Sequence, residues 1–209
     1  MRGPKPVISK HAERVVRTVL SLLFLIPAIG CASRPAPVPD SPSTTTELTL
    51  SAVPEQVGGF RIAETRRYPD PSAGTLYRFQ GESSLQPDVY VYPMSEIARR
   101  GGTDPGEQAQ AESALFKEVL AIQRAQQHFD DYQVVGEHAL RQSAGSQVVE
   151  GWHVHAMLTR RGEQRDLHQH LFVIGEHLVK VRTTFTRGAI APEELQAFLE
   201  DLIQGMLAR

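Results

Sequence analysis

Residues 151–174 read GWHVHAMLTRRGEQRDLHQHLFVI, two runs rich in β-branched and aromatic residues around the segment Arg161-Gly162-Glu163-Gln164. Apolar arms flanking a short glycine-containing segment are a hairpin signal. Side chains along a strand alternate between its two faces, so Trp152, Val154, Ala156 and Leu158 share a surface with Leu167, Leu171 and Val173. That surface is a core surface. The opposite one carries His153, His155, His168 and His170 among Met157, Thr159 and Phe172. With the turn centred on Gly162-Glu163, His155 faces His170, Met157 faces His168 and His153 faces Phe172. Imidazole is the commonest side-chain ligand of zinc and copper, so this hairpin is a candidate metal site. The competing reading is structural: a half-exposed sheet face that happens to be rich in histidine.

Working outward, Gly175-Glu176 is a second turn signal, and Leu178–Phe185 (178–185) is another strand. A helix opens at Pro192-Glu193-Glu194, with acids at the positive end of its dipole, and carries Leu195, Phe198, Leu199, Leu202, Ile203 and Met206 at helical spacing. Upstream, strands are predicted at 60–68, 75–80, 88–92, 132–140 and 148–159. A further helix starts at Thr103-Asp104-Pro105, a capping side chain before a proline, and runs to about Phe129 with Leu115, Phe116, Val119 and Ile122 on its apolar face. The pattern predicts an α+β fold: a mainly antiparallel β-sheet packed against two or more helices.

The segments Leu76-Tyr77-Arg78-Phe79, Asp88-Val89-Tyr90-Val91-Tyr92-Pro93 and Leu178-Val179-Lys180-Val181-Arg182-Thr183-Thr184-Phe185, the last before a terminal helix, give the region 50–209 a resemblance to PsbP-like envelope lipoproteins. The resemblance implies a sandwich of sheet and helices, with binding or assembly roles commoner than catalysis. These are strand patterns that imply a fold, and function has to be argued from the site.

The N-terminus has a different character. Residues 1–17 are basic, Val19 to Ile26 (VLSLLFLI) is apolar, and Pro27-Ala28-Ile29-Gly30 leads to Cys31, the only cysteine of the 209-residue chain. A basic, then apolar, then small-residue order is that of a secretory signal, and the apolar run is shorter than the roughly 20 residues a membrane span needs. A lone cysteine makes no internal disulfide. The stretch resembles the lipobox of bacterial lipoproteins, which implies diacylglyceryl transfer to the Cys31 thiol, cleavage before it and acylation such as palmitate on the mature end. Multiple acyl chains are what stable anchoring requires. Ala32 in the next position implies sorting to the outer membrane, facing the periplasm. Residues 32–46 (ASRPAPVPDSPSTTT) hold four prolines and little apolar bulk, and read as a tether. The expected organisation is therefore signal peptide 1–30, lipidated cysteine and tether 31–46, and a single globular domain 47–209.

Removing the leader's five basic residues and one acid from the chain's 22 and 24 leaves 17 and 23, a mature charge of −6. Nucleic acid is not the expected partner, since phosphate binding needs a net basic face. No Gly-x-Ser-x-Gly elbow, His-Glu-x-x-His pair or phosphate loop occurs, so neither a recognisable catalytic class nor a cofactor is expected. Asp130, Asp131 and Asp166 read as turn or helix-end residues, and Arg99, Arg100, Arg160, Arg161 and Arg165 as solvated basic spots. The expected function is a non-enzymatic, lipid-anchored envelope protein that binds a protein or a small ligand, with a metal-binding protein or metalloenzyme built on the histidine hairpin as the alternative.

Overall fold

The computed structural model describes residues 52–145, 147–189 and 192–207. The expected signal peptide, Cys31 and the expected tether lie outside the described residues. Thr45–Arg209 is one compact unit. Its elements in chain order are β1 (Gln56–Val57), β2 (Phe60–Arg67), β3 (Thr75–Gln80), β4 (Asp88–Pro93), α1 (Glu96–Arg100), α2 (Pro105–Ala125), β5 (Asp131–Ala144), β6 (Gln147–Arg160), β7 (Glu163–Ile174), β8 (His177–Thr186) and α3 (Pro192–Leu207). The strands form one sheet in the order β1-β2-β3-β4-β8-β7-β6-β5. Every neighbouring pair is antiparallel.

The sheet is two meanders, β1 to β4 and β5 to β8, joined where β4 pairs with β8 through Val89↔Val181 and Val91↔Val179. The three segments that carry the resemblance noted above are β3, β4 and β8, adjacent at this seam. All seven strands read from the sequence are present, whereas β1 and α1 were not anticipated. β1 is only two residues long and α1 five, too short for periodicity to register.

Alternation sends the two sheet faces to different helices. On one face Val154, Ala156 and Leu167 pack against Phe116 and Leu120 of α2, and Leu171, Val173 and Leu178 pack against Ala98 of α1 and Ala109 of α2. On the other, Phe79, Val89, Phe172, Val179 and Val181 pack against Phe198, Leu199, Leu202 and Met206 of α3. Phe198 meets Phe60 and Phe79 edge-on at 5.2 and 5.3 Å. Each such fully buried side chain contributes about 1.5–3 kcal/mol.

Two expectations are corrected here. α2 begins as read, with the Asp104 side chain accepting from Glu107 N at 2.9 Å and Pro105 in the first turn. It stops at Ala125 rather than Phe129, because the chain turns through Gln127 at φ 61°. Its buried stripe is Ala109, Ser113, Phe116 and Leu120, while Val119 and Ile122 are 43% and 55% exposed. Small residues at 109 and 113 let the helix lie close to the sheet, and that rotates the larger aliphatics outward.

The second correction is the register of the hairpin. Arg161 and Gly162 both have positive φ, 52° and 81°, and Arg160 pairs with Glu163. A two-residue loop of this kind matches the right-handed twist of its strands, with glycine in the second position. The turn is thus centred on Arg161-Gly162, fastened by Asp130 Oδ2 accepting from Arg161 N at 2.6 Å. Cross-strand partners become His153↔His170, His155↔His168 and Met157↔Asp166. A slip of two keeps every side chain on its expected face, so the core assignment stands while the histidine pairing changes.

At Gly151 the strands leave no room for a side chain: a Cβ there would run into the Leu171 carbonyl oxygen and lie 2.8 Å from the Phe172 ring. Gly151→Ala is expected to lower stability by about 2 kcal/mol, overpacking outweighing the loss of unfolded-chain freedom. A urea titration reads this as a reduced midpoint with an unchanged slope; an unchanged midpoint would contradict the packing.

Candidate functional site

The hairpin places its four histidines on the α3 face of the sheet, and β5 adds a fifth. His138 pairs with His153, and their rings meet edge-on at 4.9 Å. His153 stacks on His170 at 4.4 Å, His155 stacks on His168 at 4.3 Å, and His168 lies parallel to Phe185 at 5.4 Å. Between the stacked pairs, His153 Nε2 is 3.1 Å from His168 Nδ1. That contact needs one N–H and one lone pair, so the two rings are not both protonated. His155 Nε2 bonds Asp166 Oδ1 at 2.8 Å. Asp166 was read as a capping or solvated carboxylate beside a turn; it is instead buried in β7, one step along the ladder from His168. Its alternation with Leu167 and Leu171 points it to the histidine face.

Burial and mutual repulsion keep His153, His168 and His170 neutral. Desolvation, with the charges of His168, His138 and His155, pushes His153 down to about 3. Desolvation and His155 push His168 down to about 4, against a partial opposing pull from Asp166. His170, 7% exposed, is held well below the usual imidazole range by desolvation first and then by His153, His168 and His138. A buried imidazole is stable only as the uncharged form when no anion faces it.

As for metal, the four histidines are brought together, but as stacked pairs. Parallel rings direct their in-plane lone pairs along parallel planes rather than toward a common point. Among the described residues no three His, Cys, Asp or Glu side chains group as a metal-ligand set.

Beside the ladder is a cavity of about 500 Å³ under the first half of α3. Phe185, Leu195 and Leu199 give it apolar walls, His170, His168 and the His155–Asp166 pair one polar side, and Arg187 another. The volume is in the range of small-molecule sites, which combine apolar walls with few polar groups. His170 Nδ1 is buried without a hydrogen-bond partner, as is Thr183 Oγ1, whose residue pairs with His168 on the same face. Gln196 of α3 reaches Gln142 of β5 at 3.2 Å and ties the helix across the sheet.

The sequence singled out the hairpin histidines but missed His138, the cavity and Arg187. Gly145 between two strand runs was the available signal for His138, since a turn there sets it opposite His153. The α2 face of β4 and β8 carries a separate polar network. Lys180 Nζ lies 4.5 Å over Tyr90 and 5.3 Å over Tyr92, Arg182 donates to the Tyr90 hydroxyl at 3.0 Å, and burial, with Arg182, pushes Lys180 down to about 8. Arg78 bonds Asp88 at 2.9 Å and Glu64 at 3.0 Å. Arg99, Arg100 and Arg165 pair with Glu176, Glu96 and Glu163 at 3.5 to 3.6 Å on the surface.

The lowered histidine values carry a pH dependence. His153, His168 and His170 all bind protons near pH 6.5 once unfolded; when folded, His153 does so at about 3 and His168 at about 4, and His170 is held well below its usual range. Unfolding therefore takes up to three protons in that window, and stability, complete above pH 6.5, falls as pH drops toward 4. Denaturant midpoints measured across pH 4 to 7 are expected to show this slope, and His168→Phe to flatten it by about one proton. An equal slope in the variant would contradict the assignment.

No family model matches the chain. No curated protein matches it either. Among solved structures it is similar to the cyanobacterial PsbP (CyanoP) of Synechocystis sp. PCC 6803, at 11% identity and a TM-score of 0.39, over 71% of this chain and 86% of that one.

Proposed function

We propose that the chain is a lipid-anchored envelope lipoprotein, of PsbP-like build, whose folded domain is a non-enzymatic binding module for a small ligand. The anchor is Cys31 at the end of the export signal, and the site of action is the periplasmic face of the outer membrane. The observation that carries the binding role is the cavity of about 500 Å³ between α3 and the sheet. Its polar lining is of the kind that orients a ligand: Arg187, Gln196 and the His155–Asp166 pair. Covalent catalysis would call for a serine, cysteine or lysine nucleophile in the cavity beside the His155–Asp166 pair, and none of the residues lining it is one.

The anchor is tested on the whole chain expressed in a bacterium with labelled palmitate. The protein is expected to take up label and to fractionate with membranes, with Cys31 as its mature N-terminus. Cys31→Ala is expected to lose the label and keep its leader. Retention of Met1, or an unmodified sulfur in the wild-type protein, would overturn the placement.

The binding role is tested on residues 45–209, which contain all three hydrophobic clusters and are one compact unit. The neutral probe N-phenylnaphthylamine is expected to brighten on adding this domain, and Gln196→Trp, which puts a large ring in the cavity wall, to weaken that signal several-fold. Absence of the signal, or stoichiometric zinc or copper in protein purified without a tag, would count against a metal-free binding module.

A further inference from the structure

We propose that the cavity takes an organic acid with an apolar body, its carboxylate at the Arg187 end; this rests on the binding role just argued for the same cavity. The charges around it narrow the class of ligand. Arg187 is the cation of the lining and Asp166 the carboxylate. Asp166 is held by His155 Nε2 at 2.8 Å. Among the described residues the Arg187 guanidinium meets the Gln164 amide oxygen at 3.4 Å and the Met157 sulfur at 3.3 Å, and no carboxylate. An arginine without an anion beside an apolar cavity is a ready partner for a carboxylate, which it meets with two parallel hydrogen bonds.

Shape adds to charge. His170 pairs with Val181 on β8, and Arg187 follows the end of β8 six residues further on. At about 3.3 Å per residue the two levels are roughly 20 Å apart along the sheet. On the sheet side Phe185, His168 and the His155-bound Asp166 lie between them, and Leu195 and Leu199 line the helix side. A ligand that reaches from one level toward the other is elongated, with its body against Phe185, Leu195 and Leu199. His170 lines the far level.

Other ligand classes fit less well. A cationic ligand would meet Arg187 and gain no free carboxylate. A neutral chain would fill the apolar part and leave the Arg187 charge unmet. The acid satisfies both, and the exposed position of Arg187 lets the carboxylate stay partly hydrated at the mouth.

The experiment is isothermal titration of residues 45–209 with decanoate and, separately, with decanol, both below micelle-forming concentrations. Decanoate is expected to bind at least ten-fold more tightly than decanol. Arg187→Gln is expected to lower decanoate affinity about ten-fold and leave decanol unchanged, with Arg187→Lys between the two. Gln196→Trp is expected to weaken both ligands. Equal affinity for acid and alcohol, or an Arg187→Gln variant that binds decanoate as the wild type does, would overturn the acid class while leaving the cavity as a binding site. Binding of neither ligand together with no response to N-phenylnaphthylamine would overturn the binding role itself.

Discussion

The β6–β7 turn is the constraint on which the rest of the structure depends. Two residues with positive φ, Arg161 and Gly162, set the pairing of β6 and β7, strands of 14 and 12 residues. From that pairing follow both faces: Val154, Ala156 and Leu167 go to α2, and the histidines go to α3. A one-residue slip would turn one of the two strands over, burying its two imidazoles under α2 and exposing its apolar set, at a cost the fold could not meet. Arg161 in a left-handed conformation is itself unfavourable, and the Asp130 carboxylate accepting its backbone N–H offsets part of that cost.

The histidine ladder then belongs to the border between two regimes. Toward β3, β4 and the C-terminal end of α3, the same sheet face is fully apolar, with Phe79, Val89 and Ile203 at 0% exposure. Toward β5 it opens to solvent, where His138 is exposed. Imidazole suits such a border because its neutral form is small, flat and able to stack, and still carries two polar atoms. Stacking at 4.3 and 4.4 Å recovers contact area, and the lowered proton affinity is the consequence of that packing.

Much of this was legible in the sequence, and what was missed has definite causes. Period-two alternation located the strands and their core face, because burial of one face imposes it directly. Pro105 after Asp104 located the start of α2 for the same local reason, a cap being a short-range interaction. The buried stripe of α2 was misread because Ala109 and Ser113 have no hydrophobic bulk; they are buried by their neighbours' size, which only packing reveals. The hairpin pairing depended on which of Gly162's neighbours shares the turn, and alternation is blind to a slip of two. The cavity depended on where α3 crosses the sheet, information that lies in contacts between residues far apart in the chain.

The cavity also explains why the strongest sequence signal, four histidines in one hairpin, did not lead straight to a site. The rings stack on one another, and three of their nitrogens are committed to each other and to Asp166, so the ladder is mainly a wall and not a set of open ligands. That wall faces Phe185, Leu195 and Leu199 across the cavity. Arg187, beyond the end of β8, supplies the charge that His153, His168 and His170, held neutral by burial, do not. Selectivity in such a site comes from two ends acting on one body: a cation that rewards a negative head at the mouth, and an interior that penalises any further charge.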